Sequence, residues 1–84
     1  MTTNMSHSAT VSMFLHINDG PSYPLGKVGP DMVYVHQSEQ FPVYKASQSK
    51  LAILEIIVDG RPNRKAVIVS EYLEGRKIRI RQSI

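Results

Sequence analysis

The chain has 84 residues, of which 42% are apolar and 20% are charged, and it contains no cysteine. This length fits one domain, and the composition is that of a folded chain. The sequence therefore excludes disulfides and thiolate metal sites. Its apolar runs are too short for membrane-spanning helices, so we expect a cytoplasmic protein with no membrane contact.

The positive charge is concentrated in the last third of the sequence. Residues 1–60 carry 3 Lys and 5 acidic residues, a net charge of −2, whereas residues 61–84 carry 7 cationic residues and 2 Glu, a net charge of +5. A binding function that depends on charge would therefore use the C-terminal part of the chain.

The N-terminal region divides into a tail and a strand. Residues 1–10 are rich in Ser, Thr and Asn without periodicity, which predicts a flexible tail, and residues 11–84 are expected to form a single β domain. Apolar and polar residues alternate over 11–17 except at Phe14, a pattern typical of a half-buried strand. The Asn-Asp-Gly-Pro run at 18–21 supplies turn residues that end this strand.

Two shorter strands are predicted next. Residues 23–28 should return as an edge strand, because Pro24 cannot donate a ladder hydrogen bond. The Gly-Pro-Asp run at 29–31 breaks the chain, and residues 32–36 indicate a third strand. The polar stretch 37–50 is interpreted as a loop.

Residues 51–58 give the strongest strand signal. Both faces of this segment are apolar except at Glu55, which predicts a central strand that is covered on both sides. A helix over 44–56 is the competing interpretation. The strand is favoured because residues 56–58 are β-branched and lead directly into Asp59-Gly60.

A hairpin is predicted at the C-terminus. Residues 65–72 and 76–81 flank Leu73-Glu74-Gly75, a three-residue loop that ends in glycine and indicates a type I turn with a bulge. The predicted pairs on the core face are Ser70–Ile78 and Ile68–Ile80. The predicted pairs on the opposite face are Glu71–Lys77, Val69–Arg79 and Val67–Arg81. The second set forms a ladder of three cations about 6.6 Å apart.

The neighbours of this hairpin follow from the same register. Ile56 is expected beside Ile68, and Glu55 within reach of Lys77 or Arg79. A partly shielded apolar face remains, formed by Ile53, Ile57, Val67 and Val69. Either the N-terminal hairpin covers it or it is a contact surface. With five to six short strands and no internal repeat, the fold class is all-β, either a small antiparallel barrel or a two-layer sandwich.

The basic residues of the C-terminal part are the first candidate site. They are Arg61, Arg64, Lys65, Lys77, Arg79 and Arg81. Cations along one β surface suit a polyanion, but nucleic acid also needs aromatic rings on which bases stack. Tyr72 is the only ring in this region, and the predicted register places it on the core face. A solvated sheet face is therefore favoured over nucleic-acid binding.

The histidines give no convincing metal site. His7 lies in the predicted tail, and His16 and His36 belong to different strands, with Asp31 as an imaginable third ligand. Their spacing matches no metal motif, and no carboxylate flanks either ring. Surface histidines are the expected outcome, with no metal.

Catalysis has no sequence signature either. None of the serines stands in a Gly-x-Ser-x-Gly elbow, and there is no cysteine nucleophile. The carboxylates Asp19, Asp31 and Asp59 each adjoin glycine or proline, where turn formation explains them. The sequence therefore predicts a protein that is not an enzyme and has no cofactor.

Two turns carry a family resemblance. The Tyr-Pro-Leu-Gly-Lys-Val-Gly-Pro-Asp run at 23–31 and the Ile-Val-Asp-Gly-Arg run at 57–61 resemble small uncharacterised bacterial proteins built on a Val-Gly-Pro-Asp turn and a later Val-Asp-Gly-Arg turn. The resemblance covers residues 13–80 and implies no activity, cofactor or partner. It implies structural roles for Gly29, Pro30, Asp31, Asp59 and Gly60.

The leading functional expectation is a non-enzymatic interaction module. It would use its mixed apolar and basic sheet face, or an edge strand, to bind an unidentified protein or a second copy of itself. The alternative is weak, sequence-tolerant binding of nucleic acid or another polyanion through the basic hairpin.

Overall fold

A computed structural model describes residues 10–36 and 49–83. These residues form six strands that close into an antiparallel barrel in the order β1-β2-β3-β6-β5-β4. The strands are β1 (Val11–Ile17), β2 (Ser22–Val28), β3 (Met32–Val35), β4 (Lys50–Val58), β5 (Arg61–Leu73) and β6 (Lys77–Gln82). The all-β fold and the barrel alternative are thereby confirmed. The predicted tail, except for Thr10, and most of the predicted loop 37–50 lie outside the described residues.

The barrel is built from two three-stranded meanders. Hairpins connect β1 to β2 to β3 and β4 to β5 to β6, and the meanders meet where β1 pairs with β4 and β3 pairs with β6. This arrangement gives β4 two neighbours, β1 and β5, and places β3 between β2 and β6. Strands that are distant in sequence therefore share faces, and this determines every candidate site below.

The prediction that β2 is an edge strand was wrong. It pairs with β1 on one side and with β3 on the other. Pro24 is accommodated because its carbonyl accepts a hydrogen bond from the amide of His36, one residue after the end of β3. The missing N–H of the proline therefore falls where the β2–β3 ladder ends, and the loss there is small.

The core lies inside the barrel and consists of aliphatic side chains with two tyrosines. Its members are Leu15, Ile17, Tyr23, Leu25, Val33, Val35, Ala52, Leu54, Val67, Val69, Tyr72, Ile78 and Ile80. Burying one such Val, Leu or Ile side chain contributes about 1.5–3 kcal/mol. The core therefore accounts for the alternation that the sequence shows in β1 and β6.

Strand β4 is central, as predicted, but it is covered on one side only. Ala52 and Leu54 point into the core, whereas Leu51 and Ile53 on the opposite face are 54% and 38% exposed. The prediction of a strand covered on both sides was wrong, because the barrel has only one layer and nothing in the described part packs on its outside here.

The turn from β4 to β5 is shorter than residues 59–64, the gap between the predicted strands 51–58 and 65–72. Asp59 and Gly60 have φ values of 49° and 80°, and Val58 stands opposite Arg61. Two positive φ values in a two-residue loop define a type I′ hairpin, which matches the twist of the strands. Strand β5 therefore begins at residue 61. The predicted contact of Ile56 with Ile68 was wrong, since Asn63 lies opposite Ile56.

The turn from β5 to β6 is shifted by one residue from its predicted place. Leu73 pairs with Lys77, so the loop is residues 74–76, in which Gly75 has the expected positive φ of 75°. This brings Tyr72 opposite Ile78, and both side chains are buried. The predicted pairing of Ser70 with Ile78 was wrong. Placing Tyr72 opposite Ile78 fills the core, and this outweighs the turn position that the sequence prefers.

A bulge between Val69 and Glu71 then changes which side chains of β5 point inward. Beyond it Val69 stands opposite Ile80, and both Val67 and Val69 are buried. The extra residue reverses the alternation, since side chains in a strand alternate between faces. The prediction that these valines share a face with the cations was therefore wrong. Ile68 takes that place, opposite Arg81.

Candidate binding faces

The six predicted basic residues do not form one cluster. Arg61, Arg64 and Lys65 lie where β5 pairs with β4, whereas β6 pairs with β5 only from Val67 onward. At about 3.3 Å per residue, Arg64 is about 30 Å along β5 from the residue opposite Lys77 and about 13 Å from Ile68, which is opposite Arg81. The structure therefore separates the cations into a β5 group and a β6 group.

The β5 group is further divided between the two faces of the strand. Lys65 lies opposite Leu54 and Arg61 opposite Val58, on the face that leads into the barrel. Arg64 lies opposite Glu55 on the outer face. No single flat ligand surface could contact all three cations.

Glu55 is the centre of a hydrogen-bonded network on the outer face. It is only 8% exposed, although its strand turns it away from the core. Arg64 Nε donates to its Oε2 at 2.8 Å, and His16 Nε2 lies 3.0 Å from its Oε1. The predicted position of Glu55 near Lys77 or Arg79 was wrong, as was the expectation that no carboxylate flanks His16.

The network extends to a fourth residue. Ser22 Oγ lies 2.7 Å from Nδ1 of His16. In a neutral imidazole whose Nε2–H donates a hydrogen bond to Glu55, Nδ1 accepts a hydrogen bond from the Ser22 hydroxyl. Phe14 stacks on the same ring with 5.9 Å between ring centroids. Side chains from β1, β2, β4 and β5 are thereby held together.

The electrostatics of this network favour an ionised Glu55. The hydrogen bond from His16 lowers the pKa of Glu55 below its ordinary value, the hydrogen bond and the charge of Arg64 lower it further, and burial opposes both effects. Both carboxylate oxygens have a donor. The carboxylate is therefore charged but already compensated within its own chain.

The order Ser22–His16–Glu55 is also that of a hydrolase triad. In such a triad the carboxylate must be able to stabilise an imidazolium. Here Arg64 already holds the carboxylate of Glu55 at 2.8 Å, which weakens its effect on His16. The arrangement is better suited to fixing four side chains than to activating the serine.

An apolar face surrounds the Glu55 network. We define it as Phe14, Leu51, Ile53, Ile57, Ala66 and Ile68. The strand register makes it continuous, because Ile68 lies opposite Leu51 and Ala66 opposite Ile53. Arg81 stands opposite Ile68 at its border and forms no salt bridge within the described residues. Exposed apolar side chains thus meet a cationic rim.

A basic face lies on the other side of the barrel. We define it as Lys27, Tyr34, Lys77, Arg79 and Arg81. Tyr34 stands between Lys27 on β2 and Lys77 on β6, and the ammonium of Lys27 lies 5.4 Å from the centre of the tyrosine ring. The sequence analysis missed this tyrosine because no local pattern predicts that β3 pairs with β6.

A cavity adjoins the basic face. It lies where the bulge of β2, the end of β3 and the β5–β6 loop meet. Its lining residues are Gly26, Tyr34, Val35, His36, Gly75 and Arg76. Neither glycine contributes a side chain to the wall, and the ammonium of Lys27 lies over one face of the Tyr34 ring.

Within 10–36 and 49–83, no group of three or more His, Asp or Glu side chains is arranged to hold a metal ion. The same residues form no helix long and apolar enough to cross a membrane.

Comparisons of the chain with protein-family models, with curated proteins and with solved structures found no match. The apolar face and the basic face are therefore the candidate binding sites.

Proposed function

We propose that the protein is a non-enzymatic interaction module that binds a protein segment on its apolar face. The observation that carries this proposal is the exposure of Leu51 and Ile53, at 54% and 38%, next to Ile68 on the neighbouring strand. Burying large apolar side chains is the main favourable contribution to most protein association. A cytoplasmic location belongs to the same proposal, and fractionation of cells that produce a tagged chain would test it.

The Glu55 network makes this face suitable for burial. A buried charge without a partner would oppose binding strongly. Glu55 already accepts hydrogen bonds from His16 and Arg64, so a partner that covers it meets no uncompensated carboxylate. The network also orients Phe14 and the stem of Arg64, which reduces the side-chain ordering that binding would require.

The face, not the edge of β5, is the proposed contact. In a two-residue hairpin Val58 and Arg61 exchange hydrogen bonds, so the peptide groups of Pro62 and Arg64 point to the unpaired edge. Pro62 has no N–H, and Arg64 is charged. Both features discourage the addition of a strand.

The partner that fits is a segment with alternating apolar and acidic residues. Its apolar side chains would pack on Leu51 and Ile53, and its carboxylates would meet Arg64 and Arg81 at the rim. A second copy of this chain fits less well, because each copy carries a net charge of +3. Self-association is therefore an alternative outcome of the test.

The test uses a fluorescent peptide of alternating Leu and Glu, and the same peptide with Lys in place of Glu. We expect fluorescence polarisation to detect binding of the acidic peptide only. The double substitution Leu51→Ser with Ile53→Ser should weaken binding by about tenfold or more. The matched control is Val11→Ser with Val58→Ser, at residues that are 49% and 42% exposed but lie outside this face.

Three outcomes would contradict the proposal. Equal binding of both peptides would remove the charge argument, and equal effects of the two double variants would remove the apolar face. Sedimentation that shows a dimer, lost on substitution of Leu51 and Ile53, would replace the acidic segment by a second copy.

A further inference from the structure

We propose that the basic face is a second binding site, specific for single-stranded nucleic acid of any sequence. A base would stack on Tyr34, and the phosphates on either side of it would contact Lys27, Lys77 and Arg79. Arg81 belongs to this site and borders the apolar face; the two sites share no other residue. The two proposals can therefore fail independently.

The first argument is the row of side chains that the topology creates. Lys27, Tyr34 and Lys77 occupy directly opposed positions on three adjacent strands, so the tyrosine stands between two lysines. In the next row, Arg79 lies opposite Met32. An aromatic ring on a sheet, flanked by cations, is the arrangement that proteins use to hold single strands.

The second argument is the charge of the surface. Strands β2, β3 and β6 together contain four Lys or Arg residues and no Asp or Glu. Among the described carboxylates only Glu71 forms a salt bridge with this face, to Arg79 at 3.4 Å. Lys77 and Arg81 form none in the same part of the chain. The positive charge is therefore largely available to phosphates.

The third argument is the cavity beside the ring. Its wall includes Tyr34 and Arg76, and Gly26 forms part of it where β2 bulges. Apart from its two neighbours in the chain, a methyl group added at Gly26 would meet no atom within 4 Å, so the wall is open at the bulge. A base that stacks on Tyr34 would use the ring face that Lys27 leaves free, or displace the Lys27 ammonium toward a phosphate.

These features favour a single strand over a duplex. The planar faces of the bases are accessible only when they are unstacked, and a ring can stack on any base. Cations that contact phosphates and a ring that stacks on any base do not distinguish sequences, so recognition would be tolerant of sequence. A polyanion without bases could use the cations but not Tyr34.

The test measures fluorescence anisotropy of a labelled 15-nucleotide oligothymidylate. We expect binding at low salt, with a log–log dependence on salt of about −2 to −3 for three to four phosphate contacts. Tyr34→Ala should weaken binding by about 5- to 150-fold, because one base loses its stacking partner. Tyr34→Phe, which keeps the ring, should bind within about twofold of the parent chain.

A matched pair of charge variants locates the site. Lys77→Gln with Arg79→Gln and Arg61→Gln with Lys65→Gln remove the same charge, but the second pair lies about 20 to 40 Å away along β5. We expect the first pair to weaken binding by about tenfold or more and the second by no more than about threefold. If Tyr34→Ala does not fold, the charge pairs still decide the outcome.

Several results would overturn the proposal. They are the absence of binding at low salt, equal effects of the two charge pairs, and equal affinity of the Tyr34→Ala and Tyr34→Phe variants. Heparin has no bases. If Tyr34→Ala weakened the binding of heparin as much as the binding of the oligonucleotide, the proposal would also be overturned. Retained binding after substitution of Leu51 and Ile53 is expected and separates this site from the apolar face.

Discussion

The guanidinium of Arg64 donates its Nε–H to Oε2 of Glu55 at 2.8 Å, across directly opposed positions of β5 and β4. The other carboxylate oxygen faces His16 of β1 at 3.0 Å. One carboxylate therefore links three adjacent strands on a surface that is otherwise apolar. Cross-strand pairs of this kind stabilise a sheet and favour one register.

Stability should depend on the ionisation of Glu55. Its pKa is lowered in the folded state, so its contribution to stability is fully present above its ordinary value of 4.5 and is lost as the pH falls through the folded value. Glu55→Gln should therefore lose less stability between pH 6 and pH 3 than the parent chain. Urea unfolding of both chains across this pH range measures the loss of stability. Glu74→Gln is the control for the change of net charge. An unchanged pH dependence in Glu55→Gln would contradict the prediction.

Two leucines, one buried in the core and one exposed on the apolar face, should respond differently to truncation. Leu15 is completely buried and Leu51 is 54% exposed. Leu15→Ala should lower the free energy of unfolding by about 2–5 kcal/mol, because it leaves a cavity in the core. Leu51→Ala should change it by no more than about 0.5 kcal/mol. Similar losses in chemical denaturation would show that the outer face is packed against something.

The hairpin at Asp59-Gly60 should require its glycine. Gly60 has a φ of 80°, which costs an L-amino acid about 1–2 kcal/mol. Gly60→Ala should therefore be destabilised by about that amount in urea unfolding. Gly26→Ala is the matched control, since no strained φ and no atom within 4 Å opposes its methyl group. If both variants were equally stable, the type I′ turn would be disproved.

Cysteine pairs can determine the register of the last hairpin, because the chain has no cysteine of its own. Glu71 lies opposite Arg79, whereas Val69 is buried and faces the core. Glu71→Cys with Arg79→Cys should form a disulfide on mild oxidation, since directly opposed residues have adjacent Cβ atoms. Val69→Cys with Arg79→Cys should remain reduced, as measured by thiol labelling of folded protein. The opposite result would restore the register predicted from the turn alone.

Local patterns in the sequence predicted the strands better than their pairing. The alternation over residues 11–17 and the β-branched run in 51–58 are local signals, and both segments are strands. The glycine at 75 was correctly assigned a positive φ. The turn sequence nevertheless fits more than one three-residue window, and the observed one places the buried residues Tyr72 and Ile78 opposite each other.

The bulge in β5 is visible in the spacing of its buried residues, which the sequence alone does not give. The buried residues Val67, Val69 and Tyr72 are spaced by two and then by three. A strand without a bulge would bury every second residue, so the change of spacing marks the inserted residue. The sequence analysis assumed uniform alternation and therefore placed the valines with the cations.

The candidate faces could be predicted only in part. The cations were identified from composition, but their separation depends on the length of β5, which follows from the two-residue turn. His16 and Glu55 are 39 residues apart, and Tyr34 and Lys77 are 43 residues apart. No single sequence indicates contacts of this length, because they arise only when the two meanders pair.

The two meanders also make the chain divisible. Residues 1–42 contain all of β1, β2 and β3, and residues 43–84 contain all of β4, β5 and β6. Within residues 10–36 and 49–83, the strand ladders between the two meanders are β1–β4 and β3–β6, and neither requires a covalent link between the halves. We expect the two fragments to reassemble into the barrel when mixed, as measured by circular dichroism. The same complementarity would allow two intact chains to exchange halves at high concentration.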